Sequence, residues 1–315
     1  MSRTTVSHVL SGNRPVAPAT RTRVEQVIDE LSYRPNGLAR SLRIQRTHTV
    51  ALIIPDITNP FYPMVARGLD DALGVRYRTL ICNTDADREQ ERAFAADVSD
   101  RKADGMVIVA FQVEARDLAD ILELGMPLVS IGDRIDDPRV DLVLPDDEHG
   151  AFEVTRYLLS AGHVRIGFVW EPDGPGQHRL EGYRRALREV GIPYDEKLTA
   201  LGGWNRPGGH AAMARLLEAS DPPSAVFCAN DLMAIGAIAA ARAVGRRIPE
   251  EVAIVGYDDI DAAAMVSPEL TTVANPAYEA GQAAGRFLLD RITGSYTGER
   301  RTLMLRPGLV KRRSA

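Results

Sequence analysis

The chain has 315 residues, 45% apolar and 26% charged, a composition ordinary for a globular protein. No apolar run is long enough to cross a bilayer as a helix, and no charged-then-apolar leader opens the chain, so a cytoplasmic protein is expected. The net charge of −5 hides an asymmetry: residues 1–49 hold eight Arg against Glu25, Asp29 and Glu30, a balance of +5, which leaves −10 on the remainder. A basic head on an acidic body predicts that only the head meets phosphate. The elements begin at once. Val6, Val9 and Leu10 recur at i, i+3, i+4 and give a short helix one apolar face, with Ser2 as its N-cap. Arg3, Thr4, Ser7 and His8 occupy the opposite face, and side chains of these types reach base edges in a major groove. A second helix starts at Ala17-Pro18, carries Val24, Val27, Ile28 and Leu31 at helical spacing, and ends before Pro35. Residues 36–43 suffice for two helical turns, too few to be stable unless docked.

The run Ser-Arg-Thr-Thr-Val-Ser-His-Val-Leu-Ser-Gly, then Tyr33-Arg-Pro-Asn36 and Ala39-Arg-Ser-Leu42, resembles the lactose-repressor and galactose-repressor (LacI/GalR) family of bacterial transcription factors. The resemblance implies that Arg3, Thr4 and His8, with Ser7 beside them, face the major groove of an operator. It also implies that residues 36–43 form a hinge helix in which Ala39 and Leu42 meet the DNA, Leu42 as an apolar wedge between base steps. Against the family pattern, the first helix and turn of the helix-turn-helix are missing, roughly a dozen residues by the size of that motif. A start codon assigned too far downstream is the favoured explanation, and a true truncation with impaired DNA binding is the other.

From Val50 onward apolar runs alternate with amphipathic stretches. Candidate strands are 50–55, 79–83, 105–110, 127–132, 141–145, 165–170, 224–229, 252–257 and 303–310, with helical patterns such as 63–73, 147–161, 179–190 and 231–244 between them. Repeated βα units predict an α/β fold of parallel sheets flanked by helices, with ligands at the carboxyl ends of the strands. The runs Ile54-Pro-Asp-Ile-Thr-Asn-Pro-Phe61, Gly162-His-Val-Arg-Ile-Gly167, Asn230-Asp-Leu-Met-Ala-Ile-Gly236, Val255-Gly-Tyr-Asp-Asp259, Leu270-Thr-Thr-Val273 and Leu309-Val-Lys-Arg-Arg313 resemble the type I periplasmic-binding-protein fold, the family's effector domain. Three chain segments are then expected: a partial helix-turn-helix head over 1–35, a hinge and linker over 36–49, and a two-lobed effector and dimerisation domain over 50–315. The resemblance implies three crossings between the lobes, placed near 145, 274 and 298. The first lobe is then 50–144 plus 275–297 and the second 145–273 plus 298–315.

Seven residues are candidates for an effector site between the lobes, each set against an ordinary structural role. Arg179 precedes Leu-Glu-Gly-Tyr and matches the family's effector-binding arginine, where a rigid donor fork holds vicinal hydroxyls; alone, an Arg at a helix start is more often a surface group. Asp258 and Asn230 follow strands and either accept ligand hydrogen bonds or cap helices. Trp204 and Phe61 either stack on a sugar face or pack the interior. Asp56 ends the first strand and Asn275 sits at the second crossing. Asp133 and Asp146 are weaker candidates at further strand ends. One basic fork opposed by carboxylates suits a sugar or other neutral polyol better than a polyanion, with a nucleobase still open.

No P-loop, G-x-G-x-x-G, G-x-S-x-G, H-E-x-x-H or C-x-x-C occurs, and the six His show no metal spacing, so neither catalysis, metal nor cofactor is expected. Cys82 and Cys228 read as buried thiols, with a disulfide left open by the sequence alone. The reading is a homodimeric, effector-controlled repressor of a near-palindromic operator, without membrane contact. No leucine heptad follows the last strand, which favours a dimer over a tetramer. The rival is a cytoplasmic solute-binding module with a vestigial head.

Overall fold

The computed structural model describes residues 2, 5–6, 8–9, 14–31, 46–101 and 103–315. It falls into two compact units, 1–47 and 48–315. In the first, Thr5, Val6, His8 and Val9 are helical. Ser2 caps this turn: its hydroxyl accepts from the Thr5 N–H at 3.2 Å and its carbonyl from Thr5 and Val6. Helix α1, Pro18–Glu30, starts on its proline and has no side-chain cap. Val24 is buried, Ile28 half-buried, and Val27 and Leu31 are exposed. Of the expected DNA contacts only His8 is described; Arg3, Thr4, Ser7, Ala39 and Leu42 lie outside the described residues, as does the hinge segment 36–43.

The second unit opens with β1 (Thr49–Ile54), α2 (Phe61–Leu73), β2 (Arg78–Asn83), α3 (Arg88–Asp100), β3 (Gly105–Ile108), α4 (Ala119–Glu123), β4 (Leu128–Ile131) and β5 (Asp141–Pro145). It continues with α5 (Asp147–Ser160), β6 (Ile166–Trp170), α6 (Gly176–Glu189), β7 (Thr199–Leu201), α7 (Arg206–Leu217), β8 (Ala225–Cys228) and α8 (Asp231–Ala243). It closes with β9 (Ala253–Val255), α9 (Asp261–Met265), β10 (Thr272–Ala274), α10 (Ala277–Thr293), β11 (Thr302–Leu305) and β12 (Gly308–Val310). The first lobe's sheet is parallel in the order β11-β5-β4-β3-β1-β2, and the second lobe's is parallel in the order β7-β6-β8-β9. Strands β10 and β12 pair antiparallel, and single bridges tie Thr271 and Ala274 to Val255 and Asp258.

Strand β1 shows why these segments read as continuous apolar runs. Successive side chains point to opposite faces. Val50, Leu52 and Ile54 pack with α2 and α10 on one face, while Ala51 and Ile53 pack with Val98 and Ile121 on the other. Both faces are covered by helices, as parallel sheets require. On the first of these faces α2 and α10 touch through glycine: a Cβ on Gly68 falls 2.0 Å from the Tyr278 carbonyl oxygen, and one on Gly281 falls 2.0 Å from that of Val65.

The third passage between the sheets departs from expectation. The chain passes between them after β5, after β10, and again at Arg306-Pro307, because β11 lies beside β5 and β12 beside β10. The crossing therefore falls later than 298, and residues up to 305 stay with the first lobe. The single strand expected over 303–310 is two strands, since Pro307 cannot donate to a ladder and interrupts it. Strand β7 and helices α3, α7 and α10 complete the alternation that the longer runs announced. Cys82 and Cys228 are buried free thiols in different sheets, and burial pushes both above the ordinary thiol range.

Candidate functional site

The carboxyl ends of both parallel sheets converge on one cavity of about 590 Å³. Asp56, Phe61, Arg179, Trp204, Asn230, Asp258 and Asn275 all line it, and so do Asp133 and Asp146. Arg179 reaches it from the first turn of α6. That helix can begin where it does because Gly176 has no side chain; a Cβ there would lie 1.6 Å from the Glu171 carbonyl oxygen.

Arg179 is 3% exposed and is held on every side. Its Nε donates to Asp147 Oδ1 at 2.9 Å, its Nη2 lies 2.8 Å from that oxygen and 3.5 Å from Asp258 Oδ1, and its Nη1 donates to the Ala229 carbonyl. The guanidinium carbon stands 3.7 Å from the centre of the Tyr257 ring and 5.8 Å from that of Trp204. Burial works against the arginine's charge, but Asp147 and Asp258 outweigh it and raise its pKa further. Asp258 has the opposite balance. Burial pushes its carboxyl up to about 6, against the lowering pull of Arg179 and Asn275. Its backbone is left-handed, at φ +107°, which aims the carboxylate into the cleft beside Asn275 Nδ2 at 3.2 Å.

The two asparagines differ. Asn230 caps α8 by accepting from the Met233 N–H at 2.8 Å, and its Nδ2 donates to the Trp204 carbonyl at 3.0 Å. Its capping role is real, and through it the residue also fixes Trp204. Asn275 is 7% exposed, and its Oδ1 has no protein partner. Asp56 Oδ1 accepts from the Thr58 N–H at 2.8 Å and the Thr58 hydroxyl at 2.7 Å. Trp204 donates from Nε1 to Asp173 Oδ1 at 2.6 Å and meets Phe111 edge-on at 6.1 Å between ring centres. Phe61 meets Tyr62 edge-on at 5.3 Å.

Several site residues were not among the sequence candidates: Asp147, Tyr62, Phe111, Asp173, His178 and Tyr257. Asp147 had a readable signal. In Pro145-Asp146-Asp147 only one carboxylate can cap α5; Asp146 does so, accepting from the His149 N–H at 3.1 Å, and this leaves Asp147 for Arg179. Asp133 pairs with His178 at 3.1 Å. The cavity wall is acidic overall, with Asp56, Asp85, Asp133, Asp146, Asp147, Glu148 and Asp258 set against Arg134, Arg179 and His178. Such a wall disfavours an anion, while its carboxylates, guanidinium and open amide oxygen form hydrogen bonds of both senses with hydroxyls. Among the described residues no helix is long and apolar enough to cross a membrane.

Comparison with known proteins places both units. Residues 1–36 match the family described as bacterial regulatory proteins, lacI family, and residues 155–315 match the periplasmic binding protein-like domain. The HTH-type transcriptional repressor PurR of Aliivibrio salmonicida (strain LFI1238) is 32% identical, with 100% of this chain and 95% of the relative covered. The solved complex of the transcriptional regulator CelR with cellobiose superposes with a TM-score of 0.78 at 34% identity, covering 100% of this chain and 96% of that one. A LacI family transcriptional regulator from Enterococcus faecium with bound ribose gives 0.77 at 31% identity, covering 84% and 98%.

Proposed function

The chain belongs to the lacI family of bacterial regulatory proteins and is an effector-controlled, DNA-binding transcriptional regulator, and on that footing we propose that its cleft takes a neutral sugar or related polyol whose binding sets operator affinity. The observation that carries this reading is the compensation of Arg179. Two buried carboxylates meet its charge, so Arg179 has none left over for a phosphate or carboxylate, and Arg134 and His178 stand on a wall with seven carboxylates, while the Asp258 carboxylate and the free Asn275 Oδ1 stand ready to accept from hydroxyls. The cellobiose and ribose carried by the two similar structures are of this class.

The same reading covers the rest of the molecule. Arg3, Thr4, Ser7 and His8 contact base edges, Ala39 and Leu42 serve the hinge, and the protein acts in the cytoplasm as a homodimer on a near-palindromic operator. The edge strand β2 supports the dimer: Leu80 and Ile81 on it, and Met64 on α2, are large apolar side chains left exposed. Coupling between effector and operator is reciprocal, so each ligand changes the other's affinity by one factor.

The test titrates cellobiose, ribose and their phosphorylated forms by calorimetry, and follows anisotropy of the gene's own upstream DNA with each. Binding of a neutral sugar with a change in DNA affinity is expected. Binding of the phosphorylated forms alone would overturn the assignment of ligand class.

A further inference from the structure

Non-covalent contacts also span the cleft, and resting on the effector-site reading above they carry an inference about its regulation. From the first lobe, the loops after β3 and β4 bring Phe111, Gln112 and Asp133. From the second, the segment leading into α6 brings Asp173, the first turn of α6 His178, and the loop after β7 Trp204. Gln112 Nε2 donates to Asp173 Oδ2 at 3.2 Å, the Phe111 ring meets Trp204, and His178 Nε2 lies 3.1 Å from Asp133 Oδ2 and 3.2 Å from Oδ1. Only the last of these contacts depends on a proton.

We propose that His178 and Asp133 form a proton-operated latch across the effector cleft: protonated His178 holds the two lobes together over the ligand, and neutral His178 loosens them. Asp133 is the main partner of His178, with Asp147 and Glu148 adding a smaller pull in the same direction and Arg134 favouring the ionised form of Asp133. Asp133 and Arg134 face the imidazole from the loop after β4; Asp146, Asp147 and Glu148 face it from the start of α5; Arg179 is its neighbour on α6. Asp147 is taken by Arg179, Glu148 by Arg185 at 2.6 Å, and Asp146 by the α5 N-terminus. The hydrogen bond to Asp133 raises the His178 pKa above its ordinary value despite partial burial, and the same bond holds Asp133 below the ordinary carboxylate range. For a histidine raised in this way, the contribution is full below the ordinary histidine value and is lost as pH rises through the raised one. The latch therefore opens as pH rises through a value above that of an ordinary histidine. Asp258 also titrates, at about 6, and the Asp133→Asn variant, which leaves it in place, separates the two.

The two side chains are 49% and 51% exposed, so the effect is modest, about a two- to fivefold change in the closed-to-open ratio. The experiment places spin labels on the full chain at Glu123→Cys in the first lobe and Glu189→Cys in the second, with Cys82 and Cys228 replaced by Ser. Inter-lobe distances are then measured by double electron–electron resonance from pH 6.5 to 9. The closed population is expected to fall across this range in the parent. It should be pH-independent in Asp133→Asn, and should persist at pH 9 in His178→Lys, which keeps its charge there. A pH-independent parent, an Asp133→Asn variant that titrates like the parent, or a His178→Lys variant that opens like it would each overturn the latch. Because no effector is present, this outcome is independent of the sugar titration. In a second arm, cellobiose affinity is measured at pH 7 and 8.5; absence of binding there counts against the ligand-class reading and leaves the distance result standing.

Discussion

Replacing Arg179 by Met keeps most of the side chain's volume and removes its charge. Asp147 and Asp258 then remain in place, 9% and 6% exposed, with no cation between them. Breaking a buried pair by removing one partner costs about 3–5 kcal/mol, because the remaining charge stays desolvated. Set against a typical domain stability of about 5–15 kcal/mol, that is a large fraction, though the chain can still fold. The size of the loss depends on pH in a defined direction. Asp258 already sits at about 6, with Arg179 among the influences lowering it. Without Arg179 its carboxyl rises further and takes up a proton more readily. An acid whose folded pKa is raised opposes folding in full above that pKa, and the opposition fades as pH falls from it toward the unfolded value. The variant's deficit is therefore expected near the top of the range at pH 7.5 and distinctly smaller at pH 5.5. Adding Asp258→Asn should return part of it at pH 7.5. Urea unfolding followed by circular dichroism at both pH values supplies the energies, and calorimetry supplies sugar affinity, which the single variant should lose. A deficit below about 1 kcal/mol at pH 7.5, or one that does not change with pH, would refute the claim that Arg179 is the keystone of a charged cluster.

Three further outcomes follow from the same geometry. Sugar affinity should fall on acidification as a proton competes for the Asp258 carboxylate, by about tenfold from pH 7.5 to 5 for a group at about 6; an unchanged affinity would remove Asp258 from the contact. Gly281→Ala places a methyl group 2.0 Å from the Val65 carbonyl oxygen, so the α2–α10 contact must open at a cost of about 1–3 kcal/mol, read as a lowered thermal midpoint. The pair Leu80→Asp and Ile81→Asp on the edge of β2 should give a monomer by analytical ultracentrifugation that binds sugar but holds operator DNA weakly; a persistent dimer would place the interface elsewhere.

Segments whose side chains answer to local rules were legible. Strand β1 is a continuous apolar run, buried on both faces, and α8 follows its capping asparagine directly. Other elements were hidden for physical reasons. Strands β7 and β10 have three residues each, too few to show a period. Helix α10 turns Ala280, Gly281, Ala284 and Gly285 inward, where small size lets two backbones approach, so its buried face carries little hydrophobic signal. The apparent strand over 303–310 looked continuous because side-chain alternation survives Pro307, while the hydrogen-bond ladder does not.

The site was legible as a set of strand ends, and the resemblance raised Arg179 above an ordinary surface arginine. Neither could supply the pairings. Arg179 meets Asp147 and Asp258 across 32 and 79 residues of chain, and no local pattern marks such partners. The contrast between Asn230 and Asn275 shows how far the sequence could have gone. Both are asparagines beyond strand ends and in front of helices. Asn230 is followed by Asp-Leu-Met, which places it at the N-cap, with the Met233 N–H within reach of its side chain. Asn275 is followed by proline, and the N-cap of α10 is Pro276 itself, so Asn275 stands one residue too early to cap. Its amide oxygen is therefore left facing the cleft without a protein partner. What separates a ligand-facing asparagine from a structural one is its register against the next helix, and a single proline sets that register.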